Sequence, residues 1–291
     1  MAESGSPKIR GALLFINLHK DHARRMAGVI TNTLESRGIR CYADSAHPGD
    51  CDIAFTLGGD GTVLYAARIA APLKMPIFPI NLGTLGFIAA VPPAQWEAVF
   101  DRWLLGEAEV SERLMLEFTV ERGGQTVLQG SCLNDAVISA SGIAKIIHLH
   151  VESEFIRLGQ YRADGLILAT PTGSTAYSAA AGGPILDPEM EALIINPICP
   201  FTLSNRPVVL SAKETVIIEV EAEQRSGVLL TVDGQVTEPL EPGDRVSIRQ
   251  APYKARLIAS GREAFYRALR SKLNWSAQTE AAQADTEEHR A

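Results

Sequence analysis

The chain has 291 residues, 46% of them hydrophobic and 21% charged, and a formal net charge of −7; this is enough for two ordinary domains or one large one. The acidic balance, with no basic stripe interleaved with aromatics, excludes nucleic acid as the expected partner. No apolar run approaches the ~20 residues that a helical bilayer crossing needs, so no membrane partner is expected. In chain order, residues 12–18 read as a strand, and residues 21–37 show helical spacing at Met26, Val29, Ile30 and Leu34, ended by Gly38. Strand character resumes at 39–42 and at 53–57, where Ile53, Phe55 and Leu57 alternate. Leu57-Gly58-Gly59-Asp60-Gly61-Thr62 then turns the chain into a helix that begins near Val63. A buried strand at 76–80 follows, and Pro92 and Pro93 open a helix that runs to residue 105. Strand, helix, strand, helix, strand is the pattern of a doubly wound α/β sheet.

From about Glu112 the texture changes. Residues 114–121 and 126–131 alternate around Gly123-Gly124, a hairpin signal. Residues 146–155, 216–223, 228–232, 245–249 and 256–259 also read as strands, separated by Gly, Pro and Asp. Many strands with few helices indicate a β-rich second domain. Residues 262–275 are amphipathic, with Phe265, Leu269 and Leu273 on one face, and are expected to pack back on the first half. After Ser276 the chain turns polar, Ala-rich and acidic, which predicts a disordered tail. The expected division is an α/β nucleotide-binding domain over 1–111 joined by the helix at 262–275, a β-rich domain over 112–261, and a tail over 276–291.

Two clusters carry chemistry. Three glycines at a strand-to-helix turn let the backbone approach a ligand and aim free N–H groups at it, an arrangement that suits phosphate. Yet the turn holds Asp60 and no lysine. That is sensible if Asp60 takes a proton from a hydroxyl about to be phosphorylated, or holds a cation beside the phosphates. Phosphoryl transfer onto an alcohol is the expected chemistry, with Gly58, Gly59, Gly61 and Thr62 as the phosphate-donor loop and help from a divalent metal. The second cluster is a strand at 164–169 running into Thr170-Pro171-Thr172-Gly173-Ser174-Thr175-Ala176-Tyr177-Ser178, then Gly182-Gly183-Pro184. Its hydroxyls and N–H groups suit an oxygen-rich ligand, and Tyr177 is placed to cover a ring. Asn134-Asp135, at a strand start, offers an amide and a carboxylate able to read an adenine edge and ribose hydroxyls. Asp233-Gly234-Gln235 is a hairpin-turn signal between Val232 and Val236. His148 and His150 face one way but have no evident third metal ligand. Cys41, Cys51, Cys132 and Cys199 are widely spaced with no Cys-x-x-Cys pair, and residues 1–7 are polar; a cytoplasmic location with reduced thiols is expected.

These segments, together with Asn81-Leu82-Gly83-Thr84-Leu85-Gly86-Phe87, Pro197-Ile198-Cys199-Pro200 and Asn205-Arg206-Pro207, occur in the order found in NAD kinases. The chain resembles that family over about residues 12–275. The Gly-Gly-Asp-Gly motif alone is shared with diacylglycerol, sphingosine and phosphofructo-kinases; the long stretch from Asp164 to Ser178 discriminates. The resemblance implies a Rossmann-like N-terminal domain and a β-sandwich-like C-terminal domain, with NAD in the cleft between them. It implies Asp60 as proton acceptor for the 2′-hydroxyl of the adenosine ribose, with Gly61 beside it. Asn134 and Asp135 would hold the adenosine. Asp164 and Thr175, Ala176, Tyr177, Ser178, Ala179 and Ala180 would line the dinucleotide site, with Phe87 at its border and further contacts from Lys145, Arg162 and Gln235. The phosphate donor would be ATP or polyphosphate, the required metal Mg²⁺ or Mn²⁺, the product NADP, and the assembly a homodimer or homotetramer in which a neighbouring subunit can complete the site. Four positions depart from the family pattern: Asp135 stands in place of Glu, Phe201 in place of Pro-His, and Ala179 and Ala180 in place of more polar residues. A lipid kinase of the diacylglycerol type and a non-catalytic dinucleotide sensor are the competing expectations. The first lacks a greasy lid or basic membrane patch here, and the second has no need of Asp60.

Overall fold

The structure, a computed structural model, describes residues 9–43, 48–142, 145–153, 157–202 and 205–273. The tail expected at 276–291, and the last two residues of the helix expected at 262–275, lie outside these. The first half alternates strand and helix: β1 (Gly11–Ile16), α1 (Asp21–Ser36), β2 (Arg40–Ala43), β3 (Ile53–Gly58), α2 (Asp60–Ala70), β4 (Ile77–Asn81) and α3 (Trp96–Leu104). The strands lie in the order β2, β1, β3, β4, all parallel. β1 and β3 read as near-continuous apolar runs because both of their faces are covered. Ala12 and Leu14 point to one side, where they join Ile30 and Leu34 of α1 and Phe100 and Trp103 of α3. Leu13 and Phe15 point to the other, against Val63, Ala66, Ala67 and Ala70 of α2. Helices on both faces make this a doubly wound sheet.

The second half is β5 (Val110–Arg122), β6 (Gln125–Cys132), β7 (Asp135–Ala140), β8 (Ile147–Ser153), β9 (Arg157–Ala163), β10 (Gly165–Ala169), the one-turn α4 (Tyr177–Ala180), β11 (Ala192–Ile198), β12 (Val208–Ser211), β13 (Val216–Val220), β14 (Val228–Val232), β15 (Val236–Leu240), β16 (Arg245–Ile258) and α5 (Arg262–Leu273). β12, β11, β10, β7, β14 and β15 form an antiparallel sheet. Its inner face, with Ile138, Leu166, Leu168 and Leu193, packs on Leu116, Phe118, Ile218 and Ile248 of the other sheet, giving the expected sandwich. That other sheet is continuous with the parallel one, because β16 pairs with β4 at Leu257 and Ile77 and with β13 and β5 along its length.

Spacing predicts two strands at 245–249 and 256–259. The chain forms one 14-residue strand instead, with a register shift against β5 between Gln250 and Lys254. Pro252 falls inside that bulge, where its missing N–H costs the ladder nothing. α5 returns to the loop after β4: the Phe265 ring lies 5.9 Å from that of Phe87, and Ser260 Oγ donates to the Ile88 carbonyl at 2.9 Å. No helix among the described residues is long and apolar enough to cross a membrane.

Candidate active site

β3 delivers the chain into the glycine turn, and α2 begins at Asp60. A Cβ at Gly58 would lie 2.1 Å from Thr62 Oγ1, so that position admits no side chain. Gly59, the residue that caps α2, places no side chain over the helix end. Of the first-turn N–H groups, that of Thr62 is held by the Gly59 carbonyl at 3.0 Å, and no side chain caps the helix end. Gly59, Gly61 and Thr62 line a cavity of about 690 Å³ together with Asn17, Lys20 and Tyr65.

Asp60 is oriented by the loop after β4. Its Oδ2 accepts the Phe87 N–H at 2.8 Å, and its Oδ1 accepts those of Ala89 at 2.9 Å and Ile88 at 3.2 Å. Gly86 permits this approach, since a Cβ there would lie 2.0 Å from Asp60 Oδ1. A carboxylate offers roughly four lone-pair positions. Three are occupied, and Oδ2, with a single N–H, keeps one for a hydroxyl proton.

Strand register assembles the facing wall. Asp135 pairs with Ala169, and Ala136 pairs with Val232, so the start of β7 and the ends of β10 and β14 share one edge of the sandwich. Asp233 and Gly234 turn β14 into β15 with φ of +50° and +65°, the hairpin that the sequence predicts. The buried Asp233 carboxylate accepts the N–H groups of Asn134 at 2.8 Å, Leu133 at 3.2 Å and Asp135 at 3.3 Å. It also pairs with Arg68 of α2 at 3.3 Å. Arg68 donates to Gln235 Oε1 at 2.7 Å, and Gln235 Nε2 donates to the Gly61 carbonyl at 2.7 Å. The hairpin is thus fastened to the helix that carries Asp60.

Beside it lies a second cavity of about 340 Å³, lined by Asn134, Asp135, Ala176, Tyr177, Thr231 and Gly234, among others. Asn134 Oδ1 is buried with no hydrogen-bond partner. Asp135 is only 5% exposed. Burial, reinforced by the neighbouring Asp233, pushes its carboxyl up to about 7. Burial raises Asp233 as well, opposed by its backbone hydrogen bonds and by Arg68.

The folded protein therefore retains a proton on Asp135 that the unfolded chain, near its ordinary 3.8, gives up. Folding stability should fall as pH rises from about 4 to about 7 on this account. Asp135→Asn, which stays neutral, should nearly match its parent near pH 4 and out-melt it by roughly several degrees at pH 8. Thermal melts at both pH values check this, and a pH-independent difference contradicts it.

The hydroxyls of the 170–178 segment mostly hold the turn itself. Thr170 Oγ1 donates to the Leu133 carbonyl at 2.6 Å and accepts the Gly173 N–H at 3.0 Å. Ser174 Oγ donates to the Pro171 carbonyl at 2.6 Å and accepts the Leu186 N–H at 3.0 Å. Thr175 Oγ1 donates to the Thr172 carbonyl at 3.3 Å. Ser178 is buried, and its oxygens accept from Asn196 Nδ2. What reaches the second cavity from this segment is Ala176 and the ring of Tyr177, 48% exposed. On α4, Ala179 is half-buried and Ala180 exposed.

Three expected contacts are not brought to this edge. Asp164 precedes Gly165, which pairs with Ser139 and Ile198 at the other end of β10, about 20 Å of extended chain from Thr170. Exposed Arg162 on β9 and exposed Lys145 just before β8 lie outside both cavities. Phe87 turns its ring to Phe265 and to Lys272 Nζ, 4.7 Å from the ring centre, so only its N–H serves Asp60. Sequence reasoning passed over Arg68, Asp233 as an organiser of residues 133–135, and Lys20. Among the described residues no group of three or more His, Cys, Asp or Glu is placed to hold a metal.

Comparison with known proteins bears on this arrangement. The profile of the ATP-NAD kinase N-terminal domain matches residues 16–108, and that of the C-terminal domain matches residues 133–260. NAD kinase of Treponema denticola is 41% identical over 276 residues, covering 92% of this chain and 97% of that protein. NAD kinase of Geobacter sulfurreducens is 39% identical over 278 residues, covering 90% and 97%. The crystal structure of an NAD kinase from Archaeoglobus fulgidus in complex with ATP superposes with a TM-score of 0.71 at 25% identity, over 91% of this chain and 98% of that one. The yeast NADH kinase complexed with NADH, at 23% identity, shares the fold with a TM-score of 0.84 over 92% and 89%. With both domain profiles matched, near-full-length relatives at about 40% identity, and a glycine turn facing a β-sandwich edge, the chain belongs to the NAD kinase family.

Proposed function

We infer that this chain, as an NAD kinase, transfers the terminal phosphoryl group of ATP to the 2′-hydroxyl of the adenosine ribose of NAD, giving NADP and ADP. The ribose oxygen bonds to the γ-phosphorus as the bond to the β–γ bridging oxygen breaks, its electron pair leaving with ADP. The hydroxyl proton passes to the free lone pair of Asp60 Oδ2. In such transfers positioning and charge stabilisation do most of the work.

One observation carries this assignment. The 233–235 hairpin walls both cavities, Gly234 on the sandwich side and Gln235 on the glycine-turn side, and Gln235 hydrogen-bonds Gly61 next to Asp60. An adenosine in the smaller cavity and a donor in the larger would meet at Asp60. The unpaired Asn134 Oδ1 lacks a donor that an adenine amino group supplies. A Mg²⁺ or Mn²⁺ ion would be held largely by the donor's own phosphates and water, with Asp60 as the nearby carboxylate, and would neutralise developing phosphate charge. Lys145, Arg162 and Asp164 would then serve a neighbouring copy's site within a homodimer or homotetramer. The four cysteines are free thiols, in keeping with a cytoplasmic location.

Purified protein with NAD, Mg²⁺ and ATP should form NADP, detected by an NADP-specific dehydrogenase. Replacing ATP with polyphosphate tests the second donor. Dinucleotide binding without ATP consumption would reveal a sensor, and phosphorylation of diacylglycerol but not NAD a lipid kinase.

A further inference from the structure

The glycine turn has no cation of its own, and the chain around it carries a net charge of −7. A triphosphate brought to Asp60 meets a like charge, and the dipole of α2 supplies only about half an elementary charge in compensation. The fold imports a cation from a distant part of the sequence. The Asn17 N–H donates to the Leu57 carbonyl at 3.0 Å, which fastens the β1–α1 connection to the end of β3. Asn17 Oδ1 accepts the His19 N–H at 3.1 Å, and the Asn17 carbonyl accepts the Lys20 N–H at 3.1 Å, so the connection folds back over the turn.

Lys20 thereby stands on the wall of the 690 Å³ cavity that Gly59, Gly61 and Thr62 also line. Its Nζ reaches the loop after β4, 3.2 Å from where a Cβ on Gly83 would lie. Gly86 of that same loop lies against the Asp60 carboxylate. Lys20 forms no ion pair among the described residues, although its helix begins with Asp21. The side walls near it are apolar and open, with Leu18 60% exposed and Tyr65 42% exposed, which suits a nucleobase.

We propose that Lys20 is the phosphate-binding cation of the donor subsite, holding the outer phosphates of a nucleoside triphosphate above the glycine turn. This rests on the kinase reading above and adds to it the residue that compensates the donor's charge. A lysine ammonium is a compact charge with three donors on a flexible stem, so it can follow the phosphates as the terminal one departs.

The test uses the full chain and its Lys20→Met and Lys20→Arg variants. Binding of the β,γ-imido analogue of ATP is measured by calorimetry with NAD saturating, and initial rates are measured against ATP and NAD separately. Lys20→Met should weaken the analogue and raise the KM for ATP by about ten- to a hundredfold, the range expected when a hydrogen bond to a charged group is lost. It should leave NAD affinity within about twofold, and Lys20→Arg should restore most of the loss, since charge and donor return. An unchanged analogue affinity and KM for ATP in Lys20→Met overturns the proposal, as does an equal loss of NAD affinity. If the unmodified chain forms no NADP, the kinase reading falls and takes this proposal with it. If it does and Lys20→Met behaves like it, only Lys20 is excluded.

Discussion

Asp60→Asn should lower kcat by about 10²–10⁴-fold, the usual effect of losing a general base, while the NAD dissociation constant moves by less than about threefold. The reason lies in what each oxygen of Asp60 does. Oδ1 receives two N–H groups from the loop after β4, and Oδ2 receives one. An asparagine can keep its oxygen toward Ile88 and Ala89, so the loop stays seated. Its amide nitrogen then faces the Phe87 N–H and has no lone pair for a proton. The hydroxyl of the acceptor must lose its proton to water, and the charge that builds on the attacking oxygen goes unshared. On the proposed assignment NAD is held by Asn134, Asp135 and Tyr177, which line a different cavity. Steady-state rates paired with calorimetric NAD binding separate the two quantities. A variant that keeps kcat within tenfold of its parent would show that Asp60 orients the loop without taking the proton. A large loss of NAD affinity together with a lowered melting temperature would show that the loop itself had come free.

How much of this was legible before the fold was known depends on where each signal sits. The β3–turn–α2 unit was readable because apolar alternation, three glycines and a helical run are local. The sandwich was readable in outline, but β9, β11 and β12 were not. β11 is buried along most of its length and contains Pro197, so it shows neither period 2 nor a clean run. β9 is a polar edge strand with Gly159 at φ +90°, and edge strands need no apolar face. At the site, Asp60, Asn134, Asp135 and Tyr177 stand out by residue type and Gln235 through the family resemblance, and the structure brings them to one region. The partners of Asp60 were not readable, since they are backbone N–H groups and any residue carries one. Arg68 and Lys20 were passed over because each looks like an ordinary charge at the surface until the chain closes. Conversely, the hydroxyls of Thr170, Ser174 and Ser178 looked like ligand groups and prove to be bonded within the protein. A hydroxyl at a helix start serves the backbone as readily as a ligand.

Gly173→Ala should damage the smaller cavity, the proposed adenosine site, although Gly173 does not line it. A Cβ on Gly173 would lie 2.1 Å from the Asn134 carbonyl oxygen, 2.5 Å from its carbon and 2.8 Å from Cα. These are backbone atoms, and they have little room to yield. The same carbonyl accepts the Thr170 N–H at 2.8 Å, and the Asn134 N–H is held by Asp233. The glycine is therefore the contact plane between the 170–178 turn and the Asn134-Asp135 pair. A methyl group inserted there must separate the two, at a cost of about 3 kcal/mol, the upper part of the range for overpacking a filled interior. For a chain of this size that corresponds to a fall in melting temperature of roughly 6–12 °C. Separation also moves Asn134 relative to Tyr177, so NAD affinity should fall by at least about tenfold. Gly28→Ala provides the comparison. Gly28 is exposed in the middle of α1 with nothing within 4 Å of its added carbon, and alanine there should add up to about 1 kcal/mol of stability. Opposite shifts in the two melting curves, with NAD binding lost only in the first, are the expected pair of results. Equal behaviour of both variants would mean that the two motifs do not meet at Gly173.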